Sequence, residues 1–257
     1  MKKLLSLALI LSLVFCFAAC GSEETTDDAA ADGGSGNLIV ATNPDFAPFE
    51  YIDEETGEPT GFDIELITLI AEDQGLTVEV QQMGFDAIVG AVQTGVVDIG
   101  ASGMSITPER LETVAFSDPY IDAGLSISVK EDNTTITGEA DLQDKTCAVQ
   151  IGTTGAAKAQ ELLEAGVLKD VKVLDKVDVV YQELLTGGVD CVINDTPVTK
   201  AYISNAGGVK IVGDDLVSDS YGFAVAKENT ELVEKINAGL ANLIKNGKYD
   251  ELIAKYF

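Results

Sequence analysis

The sequence predicts an α/β protein in two lobes, with the chain passing from one lobe to the other and back through two extended segments. Three observations carry this. Short apolar runs of strand length alternate with amphipathic helical runs, the pattern of sheets covered by helices. Several of these runs end in Gly, Ser or Asn just before a helix begins, at the sheet edge where open α/β folds bind ligands. Two stretches, residues 121–130 and 219–225, are extended and divide the pattern into an outbound half, a second lobe and a return.

The bulk properties agree. A chain of 257 residues has room for one large domain or two modest ones, and 46% apolar residues suffice for real cores. The net charge is −27, from 43 acidic and 16 basic residues, which argues against nucleic acid as a partner. There is no histidine, so hydrolases with a His base and His-ligated zinc are excluded. No acidic loop has the EF-hand spacing, and neither a metal nor a cofactor is expected.

At the N-terminus, Lys2 and Lys3 precede an apolar run from Leu4 to Ala19, the pattern of a secretory signal segment over residues 1–19. The small residues before Cys20 resemble a bacterial lipobox, which implies that Cys20 is lipidated and becomes the first mature residue. Residues 21–36 are acidic and rich in Gly and Ser, a linker that cannot bury apolar surface. Sixteen such residues reach about 20–25 Å, enough to tether a domain beside a membrane.

Residues 38–41 predict the first buried strand. Thr42, Asn43 and Pro44 turn it, and residues 45–49 form a proline-stiffened loop. Phe46 in this loop is a candidate ligand contact, with packing beneath the loop as the alternative. Residues 53–57 read as a solvated hairpin tip. A helix starts at Gly61-Phe62-Asp63 and runs to about Gln74, where Gly75 stops it. Residues 77–80 form a second strand, and residues 87–94 a helix. Phe85 sits at the turn between them, again on the ligand edge.

Residues 98–110, DIGASGMSITPER, are the centre of the chain. Val96, Val97, Ile99 and Ala101 read as a short buried strand that Ser102 and Gly103 end. Thr107 is an N-cap, Pro108 suits the first helical turn, and Glu109 suits its positive end. Arg110 therefore stands one turn into a helix at a strand's C-terminal edge, where it can grip a carboxylate with two parallel hydrogen bonds.

In the second lobe, residues 146–150 form a strand and residues 151–155, IGTTG, turn into a helix. Free N–H groups at that helix start make an anion site, assigned to Thr153 and its neighbour Thr154. Residues 171–174, 177–185 and 191–193 give strand, helix and strand. The last strand runs out at Asn194 and Asp195, with Thr196-Pro197 opening a helix that Asp195 is placed to cap. Cys147 and Cys191 fall at matching places on neighbouring strands, as a disulfide or as two buried thiols. Residues 209–212 close the lobe, and helices over 229–245 and 248–256 complete the first lobe, with Gly247 between them and the tail's Tyr256 and Phe257 expected in the core.

Five segments in order resemble the solute-binding proteins of amino-acid ABC transporters, the polar amino-acid branch. They are NPDFAPFEY (43–51), GFDIE (61–65), the Arg110 stretch, FSDPY (116–120), and the pair VQIGTTG (149–155) with INDTP (193–197). The resemblance covers roughly residues 37–257. It implies two Rossmann-like lobes of the periplasmic-binding-protein-like type II arrangement: residues 37–120 with 222–257, and residues 125–216, with hinges at 121–124 and 217–221. It implies a polar amino acid held between them. Arg110 takes the α-carboxylate and Asp195 the α-ammonium. Ser102 offers a carbonyl, beside Gly103, and Ser105 a hydroxyl. Phe46 and Phe85 sandwich the side chain. Asn43, Gln150 and Asn194 border the pocket. It further implies a monomer anchored by lipid outside the cell membrane, delivering its ligand to a permease and ATPase complex. A dehydratase of prephenate-like acids on the same lobes, and the sensing part of a receptor, are the rival readings.

Overall fold

The computed structural model describes residues 36–257. The signal segment, Cys20 and the linker through residue 35 lie outside the described residues. The first lobe opens with β1 (Asn37–Thr42), then a small three-stranded sheet of β2 (Asp45–Phe46), β3 (Glu50–Ile52) and β4 (Pro59–Thr60). There follow α1 (Phe62–Asp73), β5 (Thr77–Gln82), α2 (Phe85–Gln93), β6 (Ile99–Gly100), α3 (Pro108–Thr113) and β7 (Val114–Phe116). The second lobe holds β8 (Ile121–Lys130), β9 (Lys145–Gln150), α4 (Thr154–Glu164), β10 (Leu168–Leu174), α5 (Val177–Leu185), β11 (Cys191–Asp195), α6 (Thr196–Asn205) and β12 (Val209–Tyr221). The chain returns as β13 (Ala224–Ala226), α7 (Thr230–Asn246) and α8 (Lys248–Tyr256).

Two five-stranded sheets organise the molecule, in the orders β5-β1-β6-β13-β7 and β10-β9-β11-β8-β12. In each, four strands run in one direction and the fourth in the order, β13 or β8, runs against them. This is the two-lobe α/β architecture that the sequence predicts. In the first lobe α1 buries Phe62, Leu66, Ile67 and Ile70, which pack with Ile236, Leu240 and Leu243 of α7 in one core. In the second, Ile127, Val149, Leu162 and Ile193 form a separate core. Gly247 lies in the left-handed region at φ 85° and breaks α7 from α8, as only a residue without Cβ does at low cost.

The crossing segments are more continuous than the sequence suggests. β12 is one strand from residue 209 to 221, antiparallel to β8, with Ile121 opposite Tyr221 and Leu125 opposite Val217. The register shifts between Val212 and Val217, an irregularity within one strand.

Three further expectations need correction. Val96 is not in a strand: it is 62% exposed, and its N–H bonds to the Ala91 carbonyl to close α2. Only Ile99 and Gly100 pair, with β1 and β13. Asp195 does not cap α6 through its side chain, which is engaged elsewhere. Phe257, expected in the core, is 54% exposed, although its ring stands 5.3 Å from those of Phe49 and Phe62.

Cys147 and Cys191 are register partners on parallel strands, fully buried and free. Parallel neighbours rarely offer the Cβ geometry of a bridge. Both thiols should react with a maleimide after unfolding without reductant; protection of the pair would show a disulfide.

Candidate functional site

The parallel strands of both lobes end against one another. β1 delivers Asn43 and the following loop, β6 delivers Ser102 and Gly103, β9 delivers Gln150, and β11 ends on Asp195. Every strand end in this set carries a residue that the sequence singles out.

A buried polar network fixes the first-lobe side. The Asn43 N–H donates to Ser102 Oγ at 3.0 Å, and Ser102 Oγ donates to Glu50 Oε1 at 3.0 Å. Gly103 N and the Tyr120 hydroxyl both donate to Asp63 Oδ2, at 2.8 and 2.6 Å. Glu50 and Asp63 are fully buried, and Glu50 Oε2 and Asp63 Oδ1 have no hydrogen-bond partner. Burial pushes Asp63 up to about 7. Burial, reinforced by the Asp63 charge, pushes Glu50 well above the carboxylate range. Two carboxylates cannot both stay ionised in such a place, so the pair holds a proton at neutral pH. Phe46 packs above this floor. It is 6% exposed, and a Cβ on Gly103 would stand 2.7 Å from its ring.

Arg110 reaches across the lobes. Thr107 caps α3 by accepting from the Arg110 N–H at 3.2 Å. The guanidinium donates through Nη1 to the Ser105 carbonyl at 2.8 Å and through Nη2 to the Gly152 carbonyl of the second lobe at 3.1 Å. It lies over the Phe85 ring, 5.3 Å from the centroid, a cation–π contact. Burial lowers its pKa, while Asp195, Asp219 and Glu109 push it back up. Asp195, 4% exposed, accepts a hydrogen bond from the Tyr221 hydroxyl. Burial raises its carboxyl to about 7, with Tyr221 and Arg110 acting to lower it. Arg110 and Asp195, from opposite lobes, thus feel each other's charge, and no ion pair joins them among the described residues.

The remaining candidates divide. Thr153 caps α4, accepting from Ala156 N at 3.0 Å while its hydroxyl donates to the Gln150 carbonyl at 2.8 Å. With Thr154, Phe85 and Arg110 it lines an interlobe opening of about 730 Å³. Gln150 Nε2 donates to Asn43 Oδ1 at 2.9 Å, lobe to lobe. Asn194 is turned into its own lobe, where its Nδ2 donates to the Tyr181 hydroxyl at 3.4 Å. Sequence reasoning did not assign Tyr221, Glu50 or Asp63 to the site. Glu50 and Asp63 sit within the segments 43–51 and 61–65, but their burial comes from packing of distant segments, which no local pattern shows. Tyr221 comes from the return crossing.

Gly152 is a tight point between the lobes. It adopts φ +76°, and a Cβ there would stand 2.9 Å from the Asp86 Cα. Gly152→Ala should therefore wedge the lobes apart and weaken ligand capture about tenfold or more. Calorimetry on a variant with unchanged circular dichroism checks this.

Comparison with known proteins decides the family. The sequence model of the bacterial extracellular solute-binding proteins, family 3, matches residues 38–257. The chain belongs to this family. The arginine-binding extracellular protein ArtP of Bacillus subtilis (strain 168) is 33% identical over 260 residues, covering 100% of this chain and 98% of ArtP. Among solved structures, an ancestral arginine-binding protein bound to arginine aligns with a TM-score of 0.81 and 43% identity, over 86% of this chain and 98% of that one. The ancestral amino-acid-binding protein AncCDT-1, a precursor of cyclohexadienyl dehydratase, aligns with a TM-score of 0.79 and 39% identity, over 86% of this chain and 96% of that one.

Proposed function

We propose that this protein captures a polar L-amino acid between its lobes and hands it to an ABC importer without altering it. The observation that carries the reading is the convergence of a half-buried Arg110, bonded to the Ser105 carbonyl, and a buried Asp195, held by the Tyr221 hydroxyl, at the bridge between Ser105 and Tyr221. An amino-acid zwitterion supplies the two charges this arrangement lacks. Its carboxylate replaces carbonyl acceptors at the Arg110 guanidinium, aided by the N–H groups at the start of α4. Its ammonium takes the Asp195 carboxylate. Phe46 and Phe85 flank the side chain, and Ser102, Gly103 and Ser105 supply backbone and hydroxyl groups. Asn43 and Gln150 border the far end. Lobes of residues 37–120 with 222–257 and of 125–216 close about hinges at 121–124 and 217–221. Closure removes water and strengthens both pairs.

Beyond the zwitterion the first-lobe floor carries the Glu50–Asp63 carboxyl pair behind Ser102. A basic side chain therefore ranks first, in keeping with the arginine named for two of the relatives. Residues 1–19 serve for export, and Cys20 carries the lipid that holds the protein, by its 21–36 linker, on the outer face of the membrane.

A thermal-shift screen of the twenty amino acids and cystine tests the proposal. A basic or amide amino acid should raise Tm by several degrees. Stabilisation by none of them, with turnover of a cyclohexadienyl acid instead, would replace the binding reading with the enzymatic one.

A further inference from the structure

One loop of the first lobe grips one turn of the second without belonging to the zwitterion site. Asp45 Oδ2 accepts the Val177 N–H at 2.7 Å, across 132 residues of sequence. Val177 is the first residue of α5, so helix geometry leaves its N–H without an internal partner. The preceding N-cap position is Lys176, whose side chain makes no capping bond. The helix is thus capped from the opposite lobe. Two residues back along the same loop, Asn43 Oδ1 accepts from Gln150 Nε2, and that amide also donates to the Asp175 carbonyl at 3.1 Å. The loop 43–45 therefore holds the segment 175–177 directly at Val177 and, through the Gln150 amide, at Asp175.

We infer that Asp45 is a clasp: its carboxylate caps α5 only when the lobes are together, and so sets how long a captured ligand is held. The inference rests on the reading that the ligand lies between the lobes. With the lobes apart, both the carboxylate and the Val177 N–H are free to bond to water. With them together, each depends on the other, and removing one leaves its partner unpaired in a half-buried interface. The effect falls on the closed form, and hence on release rather than on capture.

Two single variants and their combination test this. Asp45→Ala removes the acceptor. Val177→Pro removes the donor and keeps the helix, because proline suits the first helical position and Lys176 is already extended at φ −129° and ψ 139°. Each single variant should release L-arginine or L-glutamine about five- to tenfold faster in stopped flow, with the association rate within twofold of wild type. The double variant should be no worse than either single one, because the two losses are the same bond. Additive losses, or release rates equal to wild type, would overturn the clasp. Hydrogen exchange reads the contact without any ligand: the Val177 amide should be protected in the wild type and exchange at least tenfold faster in Asp45→Ala. Equal exchange overturns the clasp even if neither amino acid binds, an outcome that would count separately against the proposed ligand.

Discussion

Arg110→Ala is expected to abolish high-affinity binding of the amino acid. The guanidinium is the cation that stands over Phe85, reaches Ser105 and Gly152, and faces Asp195. Without it the α-carboxylate would be desolvated on closure with only backbone donors to meet it. Breaking one side of a buried charge pair costs about 3–5 kcal/mol, which is on the order of a hundred- to several thousandfold in Kd. Arg110→Lys should recover only part of this, since an ammonium cannot make the two parallel bonds. Calorimetry decides it, and a loss under tenfold would remove Arg110 from the role. The fold should survive, because α3 buries none of its residues.

Asp195→Asn should separate function from stability. Asp195 costs the ligand-free protein, since burial raises its carboxyl from 3.8 to about 7. A group whose pKa rises on folding favours the fold below its unfolded value and loses that advantage as pH climbs through the folded one. The wild type should therefore lose stability between about pH 4 and pH 7, and Asp63, raised to about 7 in the same way, adds to the trend. The displacement at Asp195 corresponds to about 4 kcal/mol at most. The Asn variant keeps an acceptor for the Tyr221 hydroxyl and carries no charge. Its Tm at pH 8 should rise by several degrees, with little change at pH 4. Its affinity for an amino acid should fall at least a hundredfold, because the ammonium meets no carboxylate. A Tm that falls at pH 8 would show that the ionised form supports the fold. Undiminished affinity would place the ammonium elsewhere.

The elements were legible where the signal is local. Thr107-Pro108 starts α3 and Gly247 divides the last two helices because capping chemistry is written in adjacent residues. Arg110 and Asp195 could be singled out as candidates because each lies near a strand end beside a helix start. Local patterns failed where the third dimension decides. Val96 has strand propensity, yet its N–H is used to finish the preceding helix. Asp195 occupies an N-cap position, yet Tyr221 claims its carboxylate. The burial of Glu50 and Asp63 depends on segments as distant as Ser102 and Tyr120, so sequence alone shows two acidic residues and not a buried pair.

The paired strands β8 and β12 carry a last consequence. They are bonded to each other from Ile121–Tyr221 inward, and their root is tied to the first lobe, where Ser105 bridges Tyr221 and Ile106 N donates to the Ser220 carbonyl. Two strips laminated in this way flex across their broad face and resist shear and torsion. The lobes then have one arc along which to swing rather than a swivel. Its pivot lies within a few residues of the groups proposed to hold the ligand, so a small bend there produces a large excursion at the rim.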